Sequence, residues 1–236
     1  MAAIVDTSLL AALGLGFVLG LRHAVEADHL AAVSTFVSQE RGLLRSCLRG
    51  TFWGVGHTAA LLAAGIAVTA FKLTISPDIE RRVDVLVGLV LIVLGGHVLL
   101  RTLAGVSFHR HAHTHDGTPH SHLHVHVGDT DEHGHVHLWR AAPQPLLMGM
   151  LHGLAGSGAL VLLVLASMPS PGAALVYILV FGVGSTAGML VLSGLIGLPF
   201  ALTAGGSRSL LASLQLLVGA ASVLVGALML RGALLS

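Results

Sequence analysis

The chain reads as an all-α integral membrane protein, with six transmembrane helices arranged as a 3+3 inverted repeat and a histidine-rich loop between the halves. Three observations carry that reading. Of 236 residues, 54% are hydrophobic and 10% charged, where soluble domains carry about 25% charged residues. Mean hydropathy is +0.88. Six apolar stretches reach the roughly 20 residues that a bilayer-crossing helix needs. Three blocks of the first half also recur, in order and at nearly one offset, in the second.

The first span is Ser8–Val33. "MAAIVDTSLL" places no Lys or Arg ahead of the apolar run. A secretory signal starts basic, so this segment is read as a membrane helix. Cys47 follows as an inert thiol in a short loop, and a single cysteine forms no intrachain disulfide. The second and third spans are Gly50–Phe71 and Val83–Leu103, and the last three are Leu146–Met168, Ala173–Leu198 and Ser209–Leu230. Residues 1–103 then form one repeat, 104–145 a loop expected to be disordered, and 146–236 the other repeat. Pro77, Pro143, Pro145, Pro169, Pro171 and Pro199 fall in connections or at span ends, as helix breakers should. Glycines, 30 in all, lie largely inside the spans, where small residues let membrane helices approach closely.

Charge supplies orientation. Arg41, Arg45, Arg49, Arg101, Arg110, Arg140 and Arg208 fall on one side, against Lys72, Arg81, Arg82 and Arg231 on the other. The positive-inside rule puts the first set, and with it the histidine-rich loop, in the cytoplasm. Net charge near zero suggests no nucleic-acid partner.

The internal repeat is visible in short blocks. "FWGVGHTAALL" (52–62) returns as "VFGVGSTAGML" (180–190), "GLRHA" (20–24) as "GMLHG" (149–153), and "GLVLIVLGG" (88–96) as "GAASVLVGA" (219–227), at offsets of 128, 129 and 131. Three spans per half is an odd number, so the second half enters from the opposite side. Inverted repeats are an architecture of secondary transporters, with the substrate site near the midplane.

"GLRHAVEADHLAAV" (20–33) sets five ionisable side chains inside the first apolar span. A charge at a helix centre costs roughly 2.5–3.5 kcal/mol on insertion scales, so these groups face the interior and have partners. Arg22 and Glu26 are i,i+4 and are expected to pair along one face, with Glu26 also kept among the metal candidates. His23, Asp28 and His29 remain: two imidazoles and a carboxylate, a good site for a divalent first-row metal. On an ideal helix they diverge by roughly 100–140°. Either the helix unwinds here or only some of them bind. His57 and His152 add imidazoles in spans two and four, each read both as an interhelix hydrogen bonder and as a ligand. His97 is read as structural or interfacial.

A second cluster points to metal. Residues 109–137 hold eleven of the sixteen histidines: His109, His111, His113, His115, His120, His122, His124, His126, His133, His135 and His137. Such tracts bind Ni, Co, Zn and Cu with little selectivity, and here one is expected to collect or buffer ions at the pore mouth.

"RHAVEADH" contains a His-x4-Asp-His pattern that resembles the signature of the nickel/cobalt transporter superfamily, and "WGVGHT" resembles that family's second His-containing motif. The short, six-span chain is similar to the urease-accessory, high-affinity nickel-transport branch rather than to the longer eight-span members. The resemblance implies transport of Ni²⁺ or Co²⁺ without a cofactor, a bacterial inner membrane, cytoplasmic nickel chaperones as partners, and His23, Asp28, His29 and His57 as essential. Longer members carry an acidic Phe-Asp-Thr-Ala-Thr motif in the second half, where this chain reads "LHGLAGSGA" with His152, Ser157 and no carboxylate. The expected mechanism is alternating access around a His/Asp site, not enzymatic turnover. Compact His boxes and a His-Glu-x-x-His helix, which a membrane metalloenzyme needs, are missing from the sequence. The alternatives are efflux, zinc transport, or a membrane chaperone or sensor acting through the loop.

Overall fold

The structure is a computed structural model, and it describes residues 7–40, 42–71, 76–104, 107–115, 118–126, 142–154, 164, 167–203 and 207–235. Its helices are α1 (Thr7–His23), α2 (Ala27–Val37), α3 (Leu43–Phe71), α4 (Pro77–Ala104), α5 (Pro143–Leu154), α6 (Pro171–Thr203) and α7 (Arg208–Leu235). Among the described residues four are long and apolar enough to cross a bilayer: α3, α4, α6 and α7. The pair α1–α2 makes a fifth if it is one span, bent by 57°.

The first expected span, Ser8–Val33, is therefore not one rod. It breaks at Ala24–Glu26, where the amides of Val25 and Glu26 bond to carbonyls three residues back, at 3.1 Å each. Glu26 is extended (φ −65°, ψ 150°) and α2 starts after it. The fourth expected span, Leu146–Met168, is described as the 12-residue α5, with 155–163 and 165–166 outside the described residues. Helices α3 and α4 start earlier than their expected spans, so Cys47 lies in a helix rather than a loop. Pro77, Pro143 and Pro171 each open a helix, where a missing amide hydrogen has no cost. Pro199 lies inside α6 rather than ending it, a placement membrane helices tolerate when neighbouring groups satisfy the freed backbone.

Close packing rests on small residues, and the contacts are reciprocal. A Cβ on Gly20 of α1 would overlap the Phe181 carbonyl of α6, and one on Gly184 of α6 would overlap the Phe17 carbonyl of α1. In the same way Gly149 of α5 abuts the Trp53 carbonyl of α3, and Gly56 of α3 abuts the Leu146 carbonyl of α5. Helices α3 and α6 cross at Thr58 and Thr186, whose hydroxyls lie 3.2 Å apart. Helix α4 meets α7 at Gly88 with Gly226 and at Gly95 with Gly219, and Ser222 donates to the Leu91 carbonyl at 2.9 Å. Ala24, Ala32, Val33, Phe36, Trp53, Leu91 and Met189 form the main buried cluster. Large apolar side chains such as Leu15, Val93, Leu195 and Leu217 face outward, as lipid contact demands.

Between α4 and α5, Ser107–His115 (β1) and Thr118–His126 (β2) pair as an antiparallel hairpin, with His109 opposite His124, His111 opposite His122 and His113 opposite His120. Disorder was expected throughout this loop. Histidine at every second position also matches the period of a strand, and a lone two-stranded hairpin is marginally stable in water. His133, His135 and His137 lie outside the described residues.

Candidate metal site

The break in α1–α2 builds the site. His23 ends α1, while Asp28 and His29 sit in the first turn of α2. The turn between them cancels the divergence that a continuous helix would impose. Asp28 also gains from the helix N-terminus, where partial positive charge favours a carboxylate. His57 arrives from the middle of α3, and His152 from the last turn of α5. The close α3–α5 approach at Gly149 and Gly153 holds these last two in place.

All five polar groups meet. His23 Nε2 lies 3.2 Å from His57 Nε2. His29 Nδ1 donates to Asp28 Oδ1 at 3.1 Å, and His152 Nε2 donates to Asp28 Oδ2 at 2.9 Å. The His29 ring is central, with centroids 4.5 Å from His23, 5.2 Å from His57 and 4.6 Å from His152. Two overlapping triads each offer ligand atoms within 4.8 Å of one another: His23, His29 and His57, and Asp28, His29 and His152. His29, His57 and His152 are buried. Among the described residues the buried atoms His29 Nε2 and His57 Nδ1 have no hydrogen-bond partner. An unpaired buried polar atom is costly, and a bound cation would satisfy the one at His29 Nε2.

Glu26 does not pair with Arg22 as expected. Its Oε2 lies 3.0 Å from His23 Nδ1, because the turn at 24–26 destroys the i,i+4 register that the Arg22 pairing assumes. Arg22 is exposed. His97 is exposed on α4 and is not part of the cluster. Two apolar walls escaped the sequence reading. Trp53 lies 5.4 Å, ring to ring, from His152, and Phe181 lies 5.4 Å from His23. The clue was present in the repeated block: Trp53 of "FWGVGHT" and Phe181 of "VFGVGST" occupy matching places.

Long apolar helices around a buried imidazole–carboxylate cluster define an integral membrane protein suited to handling a divalent transition metal. Residues 9–234 match the family described as high-affinity nickel-transport protein, NicO. The chain belongs to this family, and its function is transport of Ni²⁺ across a membrane. The urease accessory protein UreH of Bacillus sp. (strain TB-90) is 40% identical over 201 residues, covering 84% of this chain and 82% of that protein. No solved structure matches the chain.

Proposed function

We propose that Ni²⁺ binds near the membrane midplane at the cluster of His23, Asp28, His29, His57 and His152, and crosses by alternating access of two inverted halves. The observation that carries this is the convergence of five donor side chains from four helices on one buried point. Imidazole and carboxylate suit nickel. Each histidine binds as the neutral ring, with its proton displaced from the ligating nitrogen.

The two-halves reading is supported by the reciprocal contacts. Phe17, Gly20, Trp53, Gly56 and Thr58 stand 128 or 129 positions before Leu146, Gly149, Phe181, Gly184 and Thr186. Each close contact made by the first set with a residue of the second has its mirror. A rocking motion about the Thr58–Thr186 crossing would expose the cluster to one side and then the other. The orientation from arginine placement puts the His109–His137 tract in the cytoplasm of a bacterial inner membrane. There it acts as an accessory collector and passes the ion to cytoplasmic chaperones. The membrane potential alone favours inward movement of a dication, at about 2.3 kcal/mol per charge per 100 mV.

The test is ⁶³Ni accumulation in cells that lack their own nickel uptake. His29→Ala and His57→Ala are expected to reduce accumulation to background at normal membrane expression. Parent-level accumulation in both variants refutes the site.

A further inference from the structure

Resting on the reading of the cluster as the Ni²⁺ site, we propose a division of labour inside it. The ion is held by the Nε2 atoms of His23, His29 and His57. Glu26 and Asp28 are positioning carboxylates that fix two of those rings from behind.

The reasoning starts from what a carboxylate can do. An ionised carboxylate only accepts hydrogen bonds, so the imidazole nitrogen facing it carries the proton. His23 Nδ1 faces Glu26 Oε2 at 3.0 Å. His29 Nδ1 faces Asp28 Oδ1 at 3.1 Å. In a neutral ring the proton on Nδ1 leaves the lone pair on Nε2. Both rings are thus preset, by the same device, to offer Nε2 to an ion. Metal-ligating histidines commonly carry a carboxylate on the far nitrogen, which fixes the tautomer and raises basicity.

The positions of those Nε2 atoms agree. His23 Nε2 is 3.2 Å from His57 Nε2, about the spacing of two nitrogens bound at roughly 2.0–2.1 Å to one ion. His29 Nε2 is buried and has no hydrogen-bond partner among the described residues. Asp28 differs. Both its oxygens are engaged, one by His29 Nδ1 and the other by His152 Nε2 at 2.9 Å. Sitting against Nδ1, Asp28 lies on the other side of the His29 ring from an ion held by Nε2. His152 presents Nε2 as a donor to Asp28, so it holds the carboxylate in place. Two carboxylates one ring away still offset the dication's charge. The second half of the chain then reaches the ion through His152, Asp28 and His29 in series.

The experiment titrates the full-length chain, purified in detergent, with Ni²⁺ for affinity and with Co²⁺ for the visible spectrum that reports its ligands. Glu26→Ala is expected to weaken Ni²⁺ binding about ten- to a hundred-fold while the spectrum of bound Co²⁺ stays unchanged. Glu26→Gln, which keeps an acceptor oxygen, is expected to recover most of that loss. Asp28→Asn is expected to weaken binding by a similar factor with the spectrum again retained, whereas His57→Ala alters the spectrum. A Co²⁺ spectrum changed by Asp28→Asn or His152→Ala overturns the proposal, because it makes that residue a ligand. So does an affinity untouched by Glu26→Ala. Those outcomes leave the cluster as the Ni²⁺ site. Parent-like Ni²⁺ binding in His23→Ala, His29→Ala and His57→Ala alike would instead remove the site itself, and this proposal with it.

Discussion

Asp28 Oδ2 lies 2.9 Å from His152 Nε2, across 124 positions of sequence. That contact ties the broken first helix to α5, and a charged acceptor makes it stronger than a neutral hydrogen bond. Removing the imidazole leaves Asp28, whose side chain is 23% exposed, with one partner fewer. His152→Ala is therefore expected to lower the thermal midpoint of the detergent-solubilised protein by several degrees. It is also expected to weaken Ni²⁺ uptake without abolishing it. Abolished binding would assign His152 to the metal.

Protonation opposes binding. Free imidazole has a pKa near 6.5, and a ring protonated on both nitrogens has no lone pair to give. With the proposed three-histidine ligand set, lost binding follows more than one proton. Ni²⁺ affinity is expected to fall as pH is lowered from about 8 to about 5, because protons compete for the ligating nitrogens. Isothermal titration across that range checks the sign. Affinity that rises on acidification contradicts imidazole ligation.

Gly149 tests the packing that sets the cluster. A side chain there meets the Trp53 carbonyl, which is backbone and has little room to yield. Gly149→Val is expected to cost at least the 1–3 kcal/mol typical of overpacking, through separation of α3 from α5. Because α3 carries His57 and α5 carries His152, metal affinity should drop with stability. Gly14→Ala is the control, since nothing lies within 4 Å of a Cβ there. Equal melting temperatures for Gly149→Val and parent would show that the two helices are not in this contact.

Deleting residues 109–137 separates collection from passage. The cluster in α1, α2, α3 and α5 stays whole, so uptake at saturating nickel is expected to persist. At scarce nickel the rate should fall, read as a raised KM with maximal rate kept. Complete loss of flux in a properly inserted protein would favour the loop as the working part.

Much of this chain was legible from one dimension. Hydropathy marked the membrane class, and α3, α4, α6 and α7 contain the expected second, third, fifth and sixth spans within their bounds. His23, Asp28 and His29 were chosen on chemistry and His57 with them through the family resemblance, and the four do lie together. Glu26 was misread for a physical reason. The i,i+4 rule supposes an unbroken helix, and the chain turns at Ala24–Glu26. Trp53 and Phe181 were passed over because an aromatic in an apolar span carries no mark that it walls a site. The fourth span was drawn through its apolar run, although only Pro143–Leu154 is described as a continuous helix there.

Residue chemistry and hydropathy are sums along the chain. They were enough to mark a lipid-embedded protein and a set of metal-type side chains, while the family resemblance supplied nickel as the cargo. Which of those side chains meet depends on angles and distances that no sum contains. The 57° bend between α1 and α2 turned His23 toward His29. Glycine-to-carbonyl approaches brought α3 and α5 close enough for His57 and His152 to join them. Glu26 stands against His23 rather than Arg22, and Asp28 reaches His152 as well as His29, because a carboxylate's partner is set by where the backbone leaves it.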